Sequence, residues 1–332
     1  MNHPPGVCFR GTGSALPVRV MHNDDFTSFL DTSDEWIRTR TGIRTRRIAG
    51  PGETSATLGL QAARRALESA ALTPADLDLI LCATVTPVSA VPSNACRIQA
   101  DLGCSMIPAF DLNAACSGFL YGLALADGMI RGGAHRNVLL VGTETLSRVV
   151  DYTDRTSCIL FGDGAGAVVV SASDQPKRGV RRIRLFADGN RGDLIHLGSY
   201  GGRLPWAGPG SPNLISAEYV KLNGREVFRF AVQRVGCLVR EALAACSLTA
   251  GDVALVIPHQ ANQRILDAAF DDLGFPPEKV MSNINRYGNT SAASIPIALD
   301  EAIREGRTRQ GDTVLLLAFG GGMTWASAVV TM

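Results

Sequence analysis

The chain has 332 residues, 46% hydrophobic and 19% charged, a composition that builds a sizeable core and excludes disordered and collagen-like chains. Its 32 Lys and Arg against 31 Asp and Glu leave a net charge of +1, so no global field favours nucleic acid and any basic patch must be local. Eight cysteines, none in a C-x-x-C pair or at metal-ligand spacing to a histidine, fit a reducing compartment rather than a disulfide scaffold or metal site.

Residues 1–13 lack a charged segment followed by an apolar one, so they read as mature protein rather than a signal peptide, and a cytoplasmic location is expected. Strand-like apolar runs then alternate with helical patterns: a strand over 79–83, a helix over 117–131, strands over 138–142 and 255–257, a helix over 291–305 and a strand over 314–319. This alternation predicts an α/β fold with sheets covered by helices. Residues 313–332 form a charge-free stretch of twenty, but Gly320, Gly321 and Gly322 interrupt it, which predicts two buried strands rather than a membrane span.

The pattern occurs twice. "LTPADLDLILCATV" from Leu72 resembles "LTAGDVALVIPHQA" from Leu248, each after an Ala-rich helical segment, 57–70 and 227–245. "FGDGAGAVVV" from Phe161 likewise resembles "FGGGMTWASAVV" from Phe319. Two matches in the same order argue for duplicated α/β halves, expected as residues 1–175 and 176–332; shared strand composition is the plain alternative. Residues 189–212, with seven glycines and three prolines, read as a long loop joining the halves, where Tyr200 and Trp206 would cover a site or anchor the loop.

Three residues at strand-to-helix junctions are candidates for chemistry. Cys116, in "DLNAACSGF", opens a helix whose dipole would lower its pKa and favour the thiolate; a small buried core residue is the alternative. His259, in "VIPHQANQRI", follows a strand at the sheet edge where α/β folds bind ligands, or is a surface loop histidine. Asn289, in "NINRYGNTSAAS", sits at a turn opening a helix and could equally stabilise its own backbone. "AFGGGMTW" offers backbone N–H groups for a developing oxyanion, or is a glycine-rich β-turn. The basic run Arg38, Arg40, Arg44, Arg46 and Arg47 beside Trp36 reads as a site for a small phosphorylated ligand or as a solvated face. "GTGSALP" at Gly11 fails as a dinucleotide fingerprint because Pro17 disfavours the helix that should come next, and no GxxxxGK[ST] loop occurs.

Together, "DTSDEWIRTRTGIRTR", "AACSGF", "FGDGAGA", "PHQANQRI", "NRYGNTSAAS" and "AFGGGMTWASA" resemble the β-ketoacyl-[acyl carrier protein] synthase III family of the thiolase-like superfamily, from about Gly11 to Met332. The resemblance implies duplicated halves in a five-layered α-β-α-β-α fold, normally a homodimer. It implies a Cys116, His259 and Asn289 triad, with an oxyanion hole from the backbone N–H groups of Cys116 and Gly321. The implied reaction starts fatty-acid synthesis: acyl-CoA acylates Cys116, malonyl-acyl carrier protein loses CO₂, and the resulting carbanion attacks the acyl group by Claisen condensation. No resident cofactor and no metal are implied, acyl-CoA being a substrate, and no nucleic-acid or membrane partner is expected.

The resemblance also maps the CoA site onto Thr32, Trp36, Arg40 and Arg155, with Gly224 and Asn262 lining the pantetheine tunnel, and carrier docking onto Arg229 and Arg264. Val91 and Met323 stand in the acyl pocket where relatives typically carry phenylalanines, which implies more room and a primer larger than acetyl. Asp271 and Asp272 replace a basic pair and would repel an acidic carrier. The altered pocket and docking face also suit a condensing or acyl-transfer enzyme of polyketide, quinolone or other specialised metabolism. A non-catalytic partner subunit is a further reading, but it would have no need of the triad.

Overall fold

The computed structural model describes residues 5–175, 178–198 and 219–332; Tyr200 and Trp206 lie outside them. Five strands, Gly6–Ala15 (β1), Leu79–Ala83 (β4), Ala109–Leu112 (β5), Asn137–Thr145 (β6) and Asp163–Ser173 (β7), form a sheet of order β1–β7–β6–β4–β5. A second sheet, from Gly179–Ala187 (β8), Leu255–Pro258 (β11), Thr313–Gly320 (β12) and Thr324–Thr331 (β13), runs β8–β13–β12–β11. Strand directions match position for position: β4 is parallel to β6 as β11 is to β12, and the next two pairs are antiparallel in both. Where β5 extends the first sheet, only a single parallel bridge from Val256 to Val280 extends the second. Short pairs, Val20–His22 (β2) with Thr45–Arg47 (β3) and Ile195–His196 (β9) with Lys221–Leu222 (β10), lie outside the two sheets.

Burial on both faces explains why the central strands read as unbroken apolar runs. Leu79, Leu81 and Leu140 of one sheet and Leu255, Ile257 and Leu316 of the other face helices Gly118–Arg131 (α4) and Ser294–Arg304 (α8), whose Phe119, Leu123, Ile295 and Leu299 fill the layer between the sheets. Ile80, Leu139 and Val169 point the other way, onto Ser55–Ala70 (α2) and Asn94–Leu102 (α3). Val256, Leu315 and Leu317 meet Gly224–Ala245 (α5) and Gln263–Phe270 (α6). Two smaller helices, Asp34–Thr41 (α1) and Ile284–Tyr287 (α7), complete the fold. The result is the five-layered α-β-α-β-α thiolase-like arrangement. Among the described residues no helix is long and apolar enough to cross a membrane, and residues 313–332 form two antiparallel strands.

A constant separation of 176 residues relates much of the two halves: Leu79 to Leu255, Asn113 to Asn289, Cys116 to Ala292 and Glu144 to Gly320. Local chemistry repeats with it, since Thr73 bonds Asp76 through its N–H and hydroxyl, and Thr249 bonds Asp252 in the same way. The match of Phe161 to Phe319 is different. Phe319 belongs to β12, whereas Phe161 precedes β7 and bridges to Asn289, so only the valine-rich ends of those two motifs correspond.

Residues 189–198 also depart from the loop reading. They form a 3₁₀ turn, Gly189–Leu194, and then β9. Asp188 anchors the turn, exchanging two backbone hydrogen bonds of 2.8 and 3.0 Å with Met323 and capping Asn190 N–H through its side chain.

α8 packs directly on β6 and β7 because glycines let backbones touch. A Cβ on Gly166 would lie 2.6 Å from Ile297 N, and one on Gly142 would lie 2.4 Å from Ala292 O. Gly166→Ala is therefore expected to cost about 1–3 kcal/mol by overpacking. Gly128→Ala, on the exposed part of α4 with nothing within 4 Å, is expected to gain up to about 1 kcal/mol from helix propensity. Unfolding midpoints of the two variants should move in opposite directions.

Candidate active site

Chain leaving β5 turns sharply before α4. Asn113 Oδ1 accepts from Ala115 N–H at 3.1 Å, and Ala115 takes the left-handed φ of 46°, which sets Cys116 in a 3₁₀ turn, Ala115–Ser117. The turn 320–324 straps onto it. Thr324 Oγ1 donates to Ala114 O at 2.9 Å and to Gly321 O at 3.1 Å, while Ser117 Oγ donates to Thr324 O at 3.2 Å. Gly320, indistinguishable by residue type from its glycine neighbours, makes the closest approach: a Cβ there would stand 2.6 Å from Cys116 N. Gly321 is next in the same turn, facing Ile195, and Met323 is fully buried.

His259 follows β11, and its backbone N–H bonds Leu317 O at 2.7 Å. Its ring packs edge-on to Phe319, with centroids 5.3 Å apart, and its Nδ1 meets Ser294 Oγ at 2.7 Å. A hydroxyl both donates and accepts, so Ser294 serves either imidazole tautomer and leaves Nε2 free in each. Asn289 sits in a copy of the Asn113 turn. Its Oδ1 accepts from Ser291 N–H at 2.8 Å, Ser291 takes φ 47°, and Nδ2 is left as the outward donor. Asn289 thus stabilises its own backbone and presents an amide donor through one arrangement.

These contacts close into a ring. Cys116 touches Gly320; Phe319 packs on His259; His259 bonds Ser294; the turn before Ser294 holds Asn289 through Ser291 and lies against the Cys116 turn, where a Cβ on Gly118 would stand 3.6 Å from Ala292 Cβ. Burial sets its electrostatics. The His259 side chain is held down to about 3 by desolvation, so the imidazole is neutral at physiological pH. Burial pushes the Cys116 thiol up to about 12, opposed only in part by Ser291. The resting form is therefore the thiol, opposite in direction to what a helix terminus alone would give, with desolvation of a charged sulfur as the largest cause.

Glu144, at the end of β6, is a functional candidate that sequence reasoning missed, although a lone acid in the apolar run "VLLVGTET" is itself a signal of a buried polar group. It is fully buried. Thr84 Oγ1, Thr86 Oγ1 and the N–H groups of Val85 and Thr86 all donate to its carboxylate.

The basic run divides. Arg46 points inward from β3, fully buried, with Nη1 on Asn23 Oδ1 at 2.8 Å, Nη2 on Ile159 O at 2.7 Å and its guanidinium 4.7 Å from the Phe26 ring centroid. Burial lowers it to about 10. Arg47 bonds Pro17 O and Val18 O, and Arg38 pairs with Asp34. A ligand role for Arg46 is thus corrected to a structural one, because alternation along β3 turns it into the core. Around Trp36 the guanidiniums of Arg40 and Arg155 lie 4.7 and 5.1 Å from the ring centroid, Arg155 being steadied by Asp31 O at 2.7 Å. Thr32 Oγ1 is buried there without a partner.

Asn262 caps α6 by accepting from Arg264 N–H and donates to Arg40 O at 3.1 Å, joining α6 to α1. Gly224 opens α5 with free space around it. Arg229, exposed on α5, pairs with Glu226, and Arg264 is exposed on α6. Asp271 and Asp272 lie just past the end of α6, both exposed. Val91, 86% exposed, lies in the loop between β4 and α3. Among the described residues no group of three His, Cys, Asp or Glu could hold a metal ion.

Comparison with known proteins identifies the family. The 3-oxoacyl-[acyl-carrier-protein] synthase III profile matches residues 110–189, and the C-terminal profile of the same name matches residues 243–332. The chain is 51% identical over 322 residues, 96% of each sequence, to a β-ketoacyl-[acyl-carrier-protein] synthase III of Roseiflexus sp. (strain RS-1). Its structure superposes on that of 3-oxoacyl-[acyl-carrier-protein] synthase III from Aquifex aeolicus VF5 with a TM-score of 0.91 at 46% identity, covering 98% of this chain and 100% of that one. The priming β-ketosynthase of the R1128 polyketide pathway also gives a TM-score of 0.91, at 38% identity and covering 100% and 98% of the two chains. Likeness of this degree over the whole length, with the Cys, His and Asn turns in one contact ring, makes the chain a member of the β-ketoacyl-[acyl-carrier-protein] synthase III family.

Proposed function

We propose that the chain is an acyltransferase that condenses an acyl-CoA primer with malonyl-acyl carrier protein, starting a fatty acid through an acyl-Cys116 intermediate. The observation that carries this reading is the contact ring joining Cys116, a neutral His259 and the Asn289 amide through Gly320, Ser294 and Ser291. In the first half, Cys116 Sγ attacks the thioester carbonyl. His259 Nε2 takes the thiol proton and returns it to the departing CoA sulfur, with Nδ1–H donating to Ser294. The N–H groups of Cys116 and Gly321 are the proposed donors to the oxyanion. Between the halves the imidazole changes tautomer, losing the Nδ1 proton to solvent and taking one at Nε2, so that Nε2 carries the hydrogen while Nδ1 accepts from Ser294. Nε2–H and Asn289 Nδ2 then stabilise the enolate oxygen formed as malonyl loses CO₂; the carbanion attacks the acyl-Cys116 carbonyl, and the tetrahedral adduct breaks its bond to Cys116 Sγ, releasing the β-ketoacyl carrier while the sulfur takes a proton from solvent. Both donors are uncharged and preorganised, so they favour charge that exists only near the transition state.

Trp36 with Arg40 and Arg155 is the proposed seat for the CoA nucleotide, because a planar base and its phosphates need an aromatic face flanked by guanidiniums. Thr32 Oγ1 is free to donate there, with Gly224 and Asn262 along the pantetheine path. Arg229 and Arg264 would attract an acidic carrier, against local repulsion from Asp271 and Asp272. The likeness to a polyketide priming synthase favours a second reading in specialised metabolism, with Val91 and Met323 accommodating a longer primer.

We also propose a homodimer. β5 is an unpaired sheet edge, with Phe110 (38% exposed) on the strand and Met106 (102%) just before it. Such an edge is completed by a second copy of the same strand. In that assembly Val91 would reach the partner's acyl pocket.

Intact mass after incubation with an acyl-CoA series should show acyl addition to wild type but not to Cys116→Ala, discharged by malonyl-carrier protein as a β-keto product. A rate that falls steadily from acetyl to hexanoyl would exclude the larger primer. Trp36→Ala should raise KM for acyl-CoA about 3- to 30-fold, the range of a cation–π contact, with kcat little changed. Phe110→Arg should convert the dimer to a monomer in size-exclusion chromatography with light scattering.

A further inference from the structure

A strongly basic surface that the condensation above does not use lies between β8 and α5. β8 carries Arg181, Arg182 and Arg184 and no acid, and α5 carries four arginines against two glutamates. Phe186 of β8 pairs across the sheet with Trp325 of β13, their rings stacked with centroids 5.6 Å apart, and Phe230 of α5 meets Trp325 edge-on at 5.3 Å. Guanidiniums cover this stack. That of Arg184 lies 5.2 Å from the Phe186 centroid, that of Arg234 lies 5.0 Å from Trp325 and 5.7 Å from Phe230, and that of Arg191 lies 5.8 Å from Phe230.

Asp188 pairs with Arg191, but among the described residues no ion pair within 4 Å involves Arg182, Arg184 or Arg234. Arg234 Nε is buried without a partner. An edge strand needs only its own outward charges for protection from further pairing, not guanidiniums brought to it by a helix and a turn. A guanidinium over an aromatic ring keeps its N–H edge for an external carboxylate, so this surface is preorganised for an acidic partner.

The turn at 189–194 joins the surface to the candidate site. Leu194 O accepts from Asn223 N–H at 2.9 Å, one residue before Gly224, and a Cβ on Gly321 would lie 3.5 Å from Ile195. From Gly224, on the proposed pantetheine path, Phe230 is about 9 Å and Arg234 about 15 Å along α5 at the helical rise. From Asn262, on the other side of that path, Asp271 is about 14 Å along α6. The two sides differ in charge, since α6 and the two residues after it carry Arg264 against Asp267, Asp271 and Asp272. β8 abuts β1, with Gly179 against Val7 O, and β1 is the edge of the first sheet opposite β5. The dimer proposed above therefore leaves the β8–α5 surface open.

We propose that the acidic carrier protein docks on the groove between β8 and α5, where Arg182, Arg184 and Arg234 receive its carboxylates, rather than on the α6 side, where Asp271 and Asp272 repel it. The inference rests on the carrier-dependent condensation proposed above. Arg182 is exposed and Arg184 half-buried, both on a strand that supplies nothing to the Cys116 ring. Reversing both, Arg182→Glu with Arg184→Glu, should raise KM for malonyl-carrier protein about tenfold, with kcat and acylation of Cys116 by acyl-CoA little changed. Removing the charges, Arg182→Gln with Arg184→Gln, should raise it about threefold, and Arg264→Glu less than twofold. A larger effect of Arg264→Glu than of the β8 pair, or no effect of the β8 pair, would overturn the proposal. Fluorescence anisotropy of labelled holo-carrier protein reads docking without turnover. If Cys116 is acylated but no β-keto product forms, the proposed condensation is refuted, while carrier affinity lost only in the β8 variants still supports this docking surface. Carrier affinity unmoved in those variants, with binding of a labelled oligonucleotide lost, would overturn it and assign the surface to a polyanion.

Discussion

At Gly320 a Cβ would stand 2.6 Å from Cys116 N and 3.0 Å from its Cβ, so the end of β12 and the Cys116 turn are in backbone contact, and only glycine allows it. The candidate site exists because of this approach. Cys116 belongs to the first half of the chain, His259 and Asn289 to the second, and the halves share a core through α4 and α8 between the sheets. Glycines recur where that layer meets the sheets: Gly142 against Ala292, Gly166 against Pro296 and Ile297, Gly118 against Ala83 and Ala292. Side chains at these points would separate α4 and α8 from the sheets and carry Cys116 away from the turn that Asn289 and Ser294 anchor.

Burial from the same packing decides the chemistry: His259 is 1% exposed and Cys116 is half-buried. Desolvation keeps His259 neutral and Cys116 protonated, so neither residue is a preformed ion. A zwitterionic thiolate–imidazolium pair would lose the solvation that burial removes. Proton movement must accompany attack on the thioester, and the Ser294 hydroxyl lets one imidazole serve as acceptor in one half-reaction and donor in the next without turning its ring. Asn289 contributes a donor whose charge does not depend on pH, oriented by the bond from Ser291 N–H to its own Oδ1.

Much of this is legible in the sequence because burial on both faces leaves unbroken apolar runs. Leu79–Ala83 is a strand at the expected limits, and residues 313–332 resolve into two. The sequence pattern places two helix starts slightly early, at 117 and 291, because Ala115 and Ser291 adopt left-handed backbone without being glycine, and residue type gives no warning of the 3₁₀ turns there. The role of Arg46 is hidden by the shortness of β3: three residues are too few for alternation to announce that the middle one points inward. Gly320 cannot be separated from its neighbours in a run of three glycines, since which one meets another backbone depends on where the strand ends. Ser294 stands in plain sight, but only the folded register brings it to His259.

Duplication explains why one half-turn is reactive and the other supports it. Both turns keep the Asn-mediated backbone bond, from Ala115 N–H to Asn113 and from Ser291 N–H to Asn289, so both are held by the same local device. Their side chains and surroundings differ. Asn113 is exposed while Asn289 is buried, and the thiol of Cys116 corresponds to the methyl of Ala292. The strand ends differ in the complementary sense, Gly320 making room beside the thiol and Glu144 standing at the matching place on β6. A symmetric pair of thiols would compete for one imidazole, and a carboxylate in place of Gly320 would bury a charge beside the sulfur as well as colliding with it. Divergence of equivalent positions thus converts a doubled scaffold into a single site, in which one half supplies the nucleophile and the other the proton acceptor and the amide donor.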